Sequence, residues 1–239
     1  MPCFVSRRSA GLTAIALILL NACSQPQPVT VTPKVAPTAS PAPPVAPDPQ
    51  PDPQPDPRPV IVAFGDSLTA GYGADTGQSV PDYLQKILDR SGYHYRVVNQ
   101  GISGDTTMGG RARISVAIEL KPAIVILELG GNDGLRGLPM RQTRENLDAM
   151  AAAFTKAGAK LLVAGITLPP NYGADYIRDF ERMYVTTATK YGAARIPFLL
   201  EPVIALPGAM QADGIHPTGK GNELVAQLVF RHLEPLLRH

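Results

Sequence analysis

Residues Val60 to Phe64 form an unbroken apolar run that stops at Gly65 and gives way at once to the polar pair Asp66-Ser67. Such a run, rich in β-branched residues, reads as a short buried strand ended by the glycine. In an open α/β sheet, ligands bind just past the carboxyl ends of the strands, where loops leave a rigid scaffold and helix N-termini expose free amides. Ser67 therefore stands where a nucleophile would stand. Asp66 and Ser67 are also preferred helix N-cap residues, so Gly65 to Leu68 alone leaves both readings open.

The rest of the chain alternates strand and helix. Ser79 to Ser91 places Val80, Leu84, Ile87 and Leu88 on one helical stripe, with Pro81 in its first turn and Gly92 as its stop. Further helices are predicted over Thr106 to Leu120, Gln142 to Ala157, Ala174 to Tyr191 and Thr218 to Leu237. Apolar runs at Tyr95 to Val98, Ala123 to Leu129 and Lys160 to Ile166 give three more strands, and Ile196 to Leu200 a short fifth weakened by Pro197. This alternation implies an α/β fold: a parallel sheet with right-handed crossovers and helices on both faces, a three-layer α/β/α sandwich.

A serine hydroxyl is a weak nucleophile and needs a base, and the base needs an orienting group. Among only four histidines, His216 alone has an acid three residues away, in Asp213-Gly214-Ile215-His216-Pro217. A turn there can fold the Asp213 carboxylate onto Nδ1 and leave Nε2 for the serine proton. Donors for a developing oxyanion are offered by the amide of Ser67, by Gly104 in the loop after the second strand, and by Asn132 in Gly130-Gly131-Asn132-Asp133 after the third. Read separately, Gly104 is a tight turn and Asn132 a helix cap. Asp66 is expected to brace the Ser67 turn, and Asp133 to brace a loop or cap a helix.

Taken together, four blocks in this order resemble the SGNH (GDSL) hydrolase family: Ser67 in Gly-Asp-Ser-Leu, Gly104 in Gly-Ile-Ser-Gly-Asp-Thr, Asn132 in Gly-Gly-Asn-Asp and His216 in Asp-Gly-Ile-His-Pro. Gly131 to Pro139 and Leu168 to Gly173 are similar to the bacterial thioesterase I, lysophospholipase L1 and arylesterase branch. The resemblance runs from Val60 to the end of the chain. It implies a flavodoxin-like strand order in a five-stranded parallel sheet. It also implies a serine esterase acting on carboxylic esters or thioesters through Ser67, His216 and Asp213 and an acyl-enzyme. There is no Gly-x-Ser-x-Gly elbow around Ser67. Within the enzyme class, deacetylation of an envelope sugar is the alternative; outside it, a lipid-anchored binding protein that has lost turnover.

Upstream of the domain, Arg7 and Arg8, the apolar stretch Leu12 to Leu20 and Asn21-Ala22 before Cys23 read as a secretion signal over residues 1–22, the apolar stretch being shorter than a membrane span needs. Leu20 to Cys23 resembles the bacterial lipobox, which implies lipidation at Cys23. The expected location is the cell envelope, at the outer membrane facing the periplasm. Cys3 would leave with the signal and Cys23 would carry lipid, so no thiol remains for a disulfide. The segment 23–59 holds more than half of the 25 prolines and ends in repeated Pro-Asp-Pro units, which suits a semi-rigid polyproline stalk ahead of a hydrolase domain at 60–239.

The formal charge of +2 is carried by Arg7 and Arg8, leaving 20 basic and 20 acidic residues in the remainder, so no basic patch argues for nucleic acid. No Cys/His spacing argues for a metal, nothing implies a cofactor, and Gly71-Tyr72-Gly73 lacks the third glycine of a dinucleotide loop. A monomer is expected. Leu135, Leu138, Pro139, Met140 and Tyr172, near the same sheet edge, are candidates either for an apolar acyl groove or for ordinary core packing.

Overall fold

The computed structural model describes residues 56–238. The expected signal segment and most of the linker, including Cys23, lie outside the described residues. Five strands, β1 (Val60–Gly65), β2 (Arg96–Gly101), β3 (Ile124–Glu128), β4 (Lys160–Ala164) and β5 (Ala194–Ile196), form one parallel sheet in the order β2-β1-β3-β4-β5. Every residue of β1 and of β3 is buried, as a strand covered on both faces must be. Eight α-helices accompany them: α1 (Ser67–Ala70), α2 (Val80–Arg90), α3 (Thr107–Ala112), α4 (Ile114–Glu119), α5 (Gly131–Leu135), α6 (Met140–Lys156), α7 (Ala174–Lys190) and α8 (Gly219–Leu233). Helix α2 packs on α8, while α3, α6 and α7 pack in sequence, giving the helical layers of the three-layer α/β/α sandwich.

Two local expectations are corrected. The single helix expected over Thr106 to Leu120 is two, with Arg113 at the break (φ −112°, ψ 14°). Its guanidinium turns inward instead of extending a helix face: it donates to the carbonyls of Gly65 (2.9 Å) and Gln100 (2.8 Å), pairs with Asp105 (2.8 Å) and lies 4.0 Å over the Phe64 ring. Binding the ends of β1 and β2 outweighs the one or two helical hydrogen bonds lost at the break. The fifth strand is Ala194–Ile196 rather than Ile196 to Leu200, since Pro197 has no N–H for the ladder. The chain instead bends outward and carries Phe198 and Leu200 to the substrate edge.

At the entry to the domain, the Arg96 amide donates to the Pro59 carbonyl at 3.0 Å and Arg58 reaches the Tyr95 carbonyl at 3.3 Å. The last residues before β1 are therefore attached to the sheet. Inside the sheet, β1 pairs with β2 on one side and with β3 on the other, so the connections leaving β1 and β3 diverge around a crevice at the strand-order reversal.

Candidate active site

Ser67 opens α1 directly after β1. Asp66 is the N-cap of that helix, its Oδ1 accepting from the Leu68 amide at 3.1 Å, so the acid is the cap and the serine hydroxyl is left unencumbered. Ser67 Oγ lies 2.8 Å from His216 Nε2, and His216 Nδ1 lies 2.7 Å from Asp213 Oδ2. The other oxygen of Asp213 accepts the amides of Ile215 (2.9 Å) and His216 (3.0 Å), closing the turn that the intervening Gly214 permits. These bonds to the imidazole and then to the two amides lower the Asp213 pKa to about 2, keeping it ionised and committed to Nδ1. Nε2 is thereby the atom turned toward serine.

The histidine loop is tied to the serine loop by Gln211. Its amide nitrogen donates to the Tyr72 carbonyl (2.7 Å) and the Pro217 carbonyl (2.9 Å), and its backbone N–H donates to the His216 carbonyl (2.8 Å). The Tyr72 ring rests against the imidazole, centroids 4.7 Å apart.

The Ser67 and Gly104 backbone N–H groups donate to no protein acceptor among the described residues. Gly104 holds φ +80°, a conformation that an L side chain rarely adopts, and this exposes its amide. The Asn132 side-chain nitrogen donates both hydrogens within the protein, to Asp66 Oδ2 (3.1 Å) and to the Asp105 carbonyl (3.0 Å). Both partners are acceptors, which sets the amide's orientation. The Arg113–Asp105 pair and the Arg136 bond to the Gly104 carbonyl (3.0 Å) hold that loop from two sides. Asp133 is a brace: buried, it accepts the Thr107 amide at the start of α3 (2.8 Å) and the hydroxyls of Thr107 and Thr143. Sequence reasoning missed Glu128, Gln211 and Arg113. The one visible signal was an acid, Glu128, at the end of an otherwise apolar strand.

A cleft of about 530 Å³ opens at Ser67 and His216, walled by Leu135, Ile166, Leu168, Phe198, Leu200, Ile204 and Ile215. Of the five groove candidates only Leu135 lines it. Tyr172 stands behind, its hydroxyl donating to the Leu135 carbonyl at 2.7 Å, while Leu138, Pro139 and Met140 are not part of the wall. No cluster of His, Cys, Asp and Glu among the described residues has metal-binding geometry.

The model of the GDSL-like lipase/acylhydrolase family matches residues 63–224. The chain belongs to this family. It is a hydrolase of ester bonds. It is 48% identical over 178 residues to esterase TesA of Pseudomonas aeruginosa, covering 74% of this chain and 89% of that protein. It is 37% identical over 180 residues to thioesterase 1/protease 1/lysophospholipase L1 of Escherichia coli K12, covering 75% and 85%. A crystal structure of TesA superposes with a TM-score of 0.72 at 48% identity, covering 74% of this chain and 99% of that one. The flavodoxin-like expectation drawn from the four blocks agrees with this family's fold.

Proposed function

We propose that this hydrolase cleaves carboxylic esters and thioesters of apolar acyl groups by two-step acyl transfer through Ser67. The observation that carries the reading is the unbroken chain from Ser67 Oγ to His216 Nε2 (2.8 Å) and from Nδ1 to Asp213 (2.7 Å). His216 takes the serine proton as Oγ attacks the carbonyl carbon, and Asp213 holds Nδ1–H and offsets the imidazolium charge. The substrate oxygen, now negative, is received by the amides of Ser67 and Gly104, with Asn132 as the third donor once one of its two internal bonds is exchanged. His216 then protonates the leaving alcohol or thiol. In the second half, water gives its proton to His216, adds to the acyl carbon and releases the acid, restoring Ser67.

The apolar walls of the cleft support an acyl chain over a sugar ring, which presents hydroxyls that those walls would leave unpaired. The relatives named esterase and thioesterase/lysophospholipase support the same reading. The test is hydrolysis of p-nitrophenyl esters of increasing acyl length beside an acyl thioester, with Ser67→Ala as control. Serine-dependent turnover that rises with chain length is expected; turnover surviving in Ser67→Ala would remove Ser67 as nucleophile. A preference for acetyl over every longer chain would favour a deacetylase.

For the N-terminal region we propose lipidation at Cys23 and tethering to the envelope by the proline-rich segment. Support comes from Leu20-Asn21-Ala22-Cys23 and the composition of 23–59. Cys23→Ser should move the protein from the membrane fraction to the soluble one, and a protein still sedimenting with membranes would place the anchor elsewhere.

A further inference from the structure

Beneath the hydrolytic site lies a pair of acids that the mechanism above does not use. Glu128, the last residue of β3, is 1% exposed and Asp66 is 3% exposed. The sheet register places Gly65 beside Glu128, and a Cβ at position 65 would collide with Thr69 Oγ1 and with the Glu128 side chain. Glycine is what lets the carboxyl group come under the Ser67 turn. Glu128 Oε2 accepts the Asp66 amide (3.2 Å) and the Thr69 hydroxyl (2.8 Å), whereas no donor reaches Oε1.

The groups around the pair supply little countercharge. Arg113 donates to the neighbouring Gly65 carbonyl, but its charge is matched by Asp105 at 2.8 Å. Tyr184 and Asp133 bring no positive charge. Two buried carboxylates in that setting cannot both stay ionised. A proton belongs on one of them, and an oxygen that receives no donor is the oxygen that can carry it. Burial first, and then the neighbouring Asp66 charge, hold Glu128 well above the usual carboxylate range.

The consequence reaches the oxyanion donors, because Asp66 Oδ2 is also the acceptor for the Asn132 amide. A bare carboxylate there would oppose a second negative charge forming on the far side of that amide, and would compete with it for the same N–H. We propose that Glu128 is a positioning residue of the oxyanion hole: its Oε1 hydroxyl donates to Asp66, tempers the charge behind Asn132 and lets that amide turn to the tetrahedral intermediate. This inference rests on the proposed role of Asn132 and Ser67 in the reaction.

The experiment compares Glu128→Gln with Glu128→Leu in the full-length enzyme, using a p-nitrophenyl ester. Gln can donate to Asp66 and accept from Thr69, while Leu suits the apolar void of about 20 Å³ bordered by Ala63, Leu84, Ile126 and Val229 but donates nothing. Glu128→Gln should keep kcat within about threefold, and Glu128→Leu should lose about a hundredfold in kcat with KM unchanged, the loss of one oxyanion donor. A wild-type kcat in Glu128→Leu, or an equal loss in both variants, overturns the inference. Should the leucine variant fail to fold, Glu128→Met, which matches the length of the side chain and donates nothing, is compared with Glu128→Gln in the same assay: methionine should lose kcat where glutamine keeps it, and equal kcat in the two overturns the inference. Ser67→Ala separates the two levels: serine-dependent turnover that ignores Glu128 refutes only this inference.

Discussion

Asp66 and Asp213 are the same residue type on either side of one serine, and their surroundings push them in opposite directions. Asp213 lies in an exposed turn, where bonds from the His216 ring and then from two amides lower its pKa to about 2. Asp66 is sealed beneath the turn, and burial raises its pKa to about 6 despite bonds from Leu68 and Asn132. The exposed acid is a charge for the histidine; the buried one is an acceptor for a helix end and an amide. Proximity to a nucleophile does not by itself make a carboxylate part of the proton relay. What decides is which donors converge on it and whether water can reach it.

The sharpest way to separate the two acids is Asp213→Asn. Loss of the carboxylate leaves the imidazole free to adopt the wrong tautomer, and kcat should fall by about 10³ to 10⁴. Thermal stability should barely move, because the turn is exposed. An undiminished kcat would show that another group orients His216. Asp66→Ala should give the converse pattern: about a hundredfold loss of kcat as the turn that carries Ser67 loses its cap and shifts, together with about 1–2 kcal/mol of stability from the lost cap and buried bond. Urea denaturation beside kinetics reads both quantities, and a stable variant with full activity would dismiss the bracing role.

Gln211→Ala probes what keeps the two regions in register. Without the bonds to Tyr72 and Pro217 the histidine loop gains freedom, and kcat should fall about tenfold with little change in KM, a fraction of what an ångström of misplacement can cost. Equal kcat would mean that the Tyr72–His216 ring contact and the Asp213 turn suffice.

The smallest effect is on the pH dependence of folding, and there the two acids have opposite signs. Asp213 has a folded pKa below its ordinary 3.8, so its stabilisation is present above that value and is lost as pH falls toward 2. Its half-exposed position keeps the effect small. Asp66 has a folded pKa above 3.8, so its contribution is greatest below that value and is lost as pH rises through about 6. Melting curves should therefore converge for wild type and Asp213→Asn near pH 2. Wild type should fall behind Asp66→Asn between pH 4 and 8. A parallel pair of curves in either comparison would contradict the assigned environment.

Much of this was legible beforehand wherever the information is local. The Gly-Asp-Ser turn, the spacing of Asp213 and His216, and the strand–helix alternation are carried by neighbouring residues. The break at Arg113 was not legible, because its partners at Gly65 and Gln100 lie 48 and 13 residues away. Which of the two readings, groove or core packing, holds for Leu135, Leu138, Pro139, Met140 and Tyr172 is not legible in the sequence for a related reason. Leu138, Pro139 and Met140 are close in sequence to Asn132, but the wall comes largely from the chain after β4 and β5, where Leu168, Phe198 and Ile204 project. Pro197, which weakens the apolar stretch from Ile196 to Leu200 as a strand, is where that stretch leaves the sheet.

The amino-acid sequence alone determined the α/β alternation and the family blocks, and it singled out Ser67, His216, Asp213, Gly104 and Asn132 as the candidates for the site. Those follow from backbone propensity and from chemistry that only a few side chains can perform. Tertiary structure alone decided which acid stays charged, where the Asn132 hydrogens go, which loops wall the cleft and how Gln211 joins two loops 139 residues apart. A pKa, a hydrogen-bond partner and an apolar wall belong to the surroundings of a side chain, and those surroundings are assembled from residues that meet only when the sheet and its crossovers have formed.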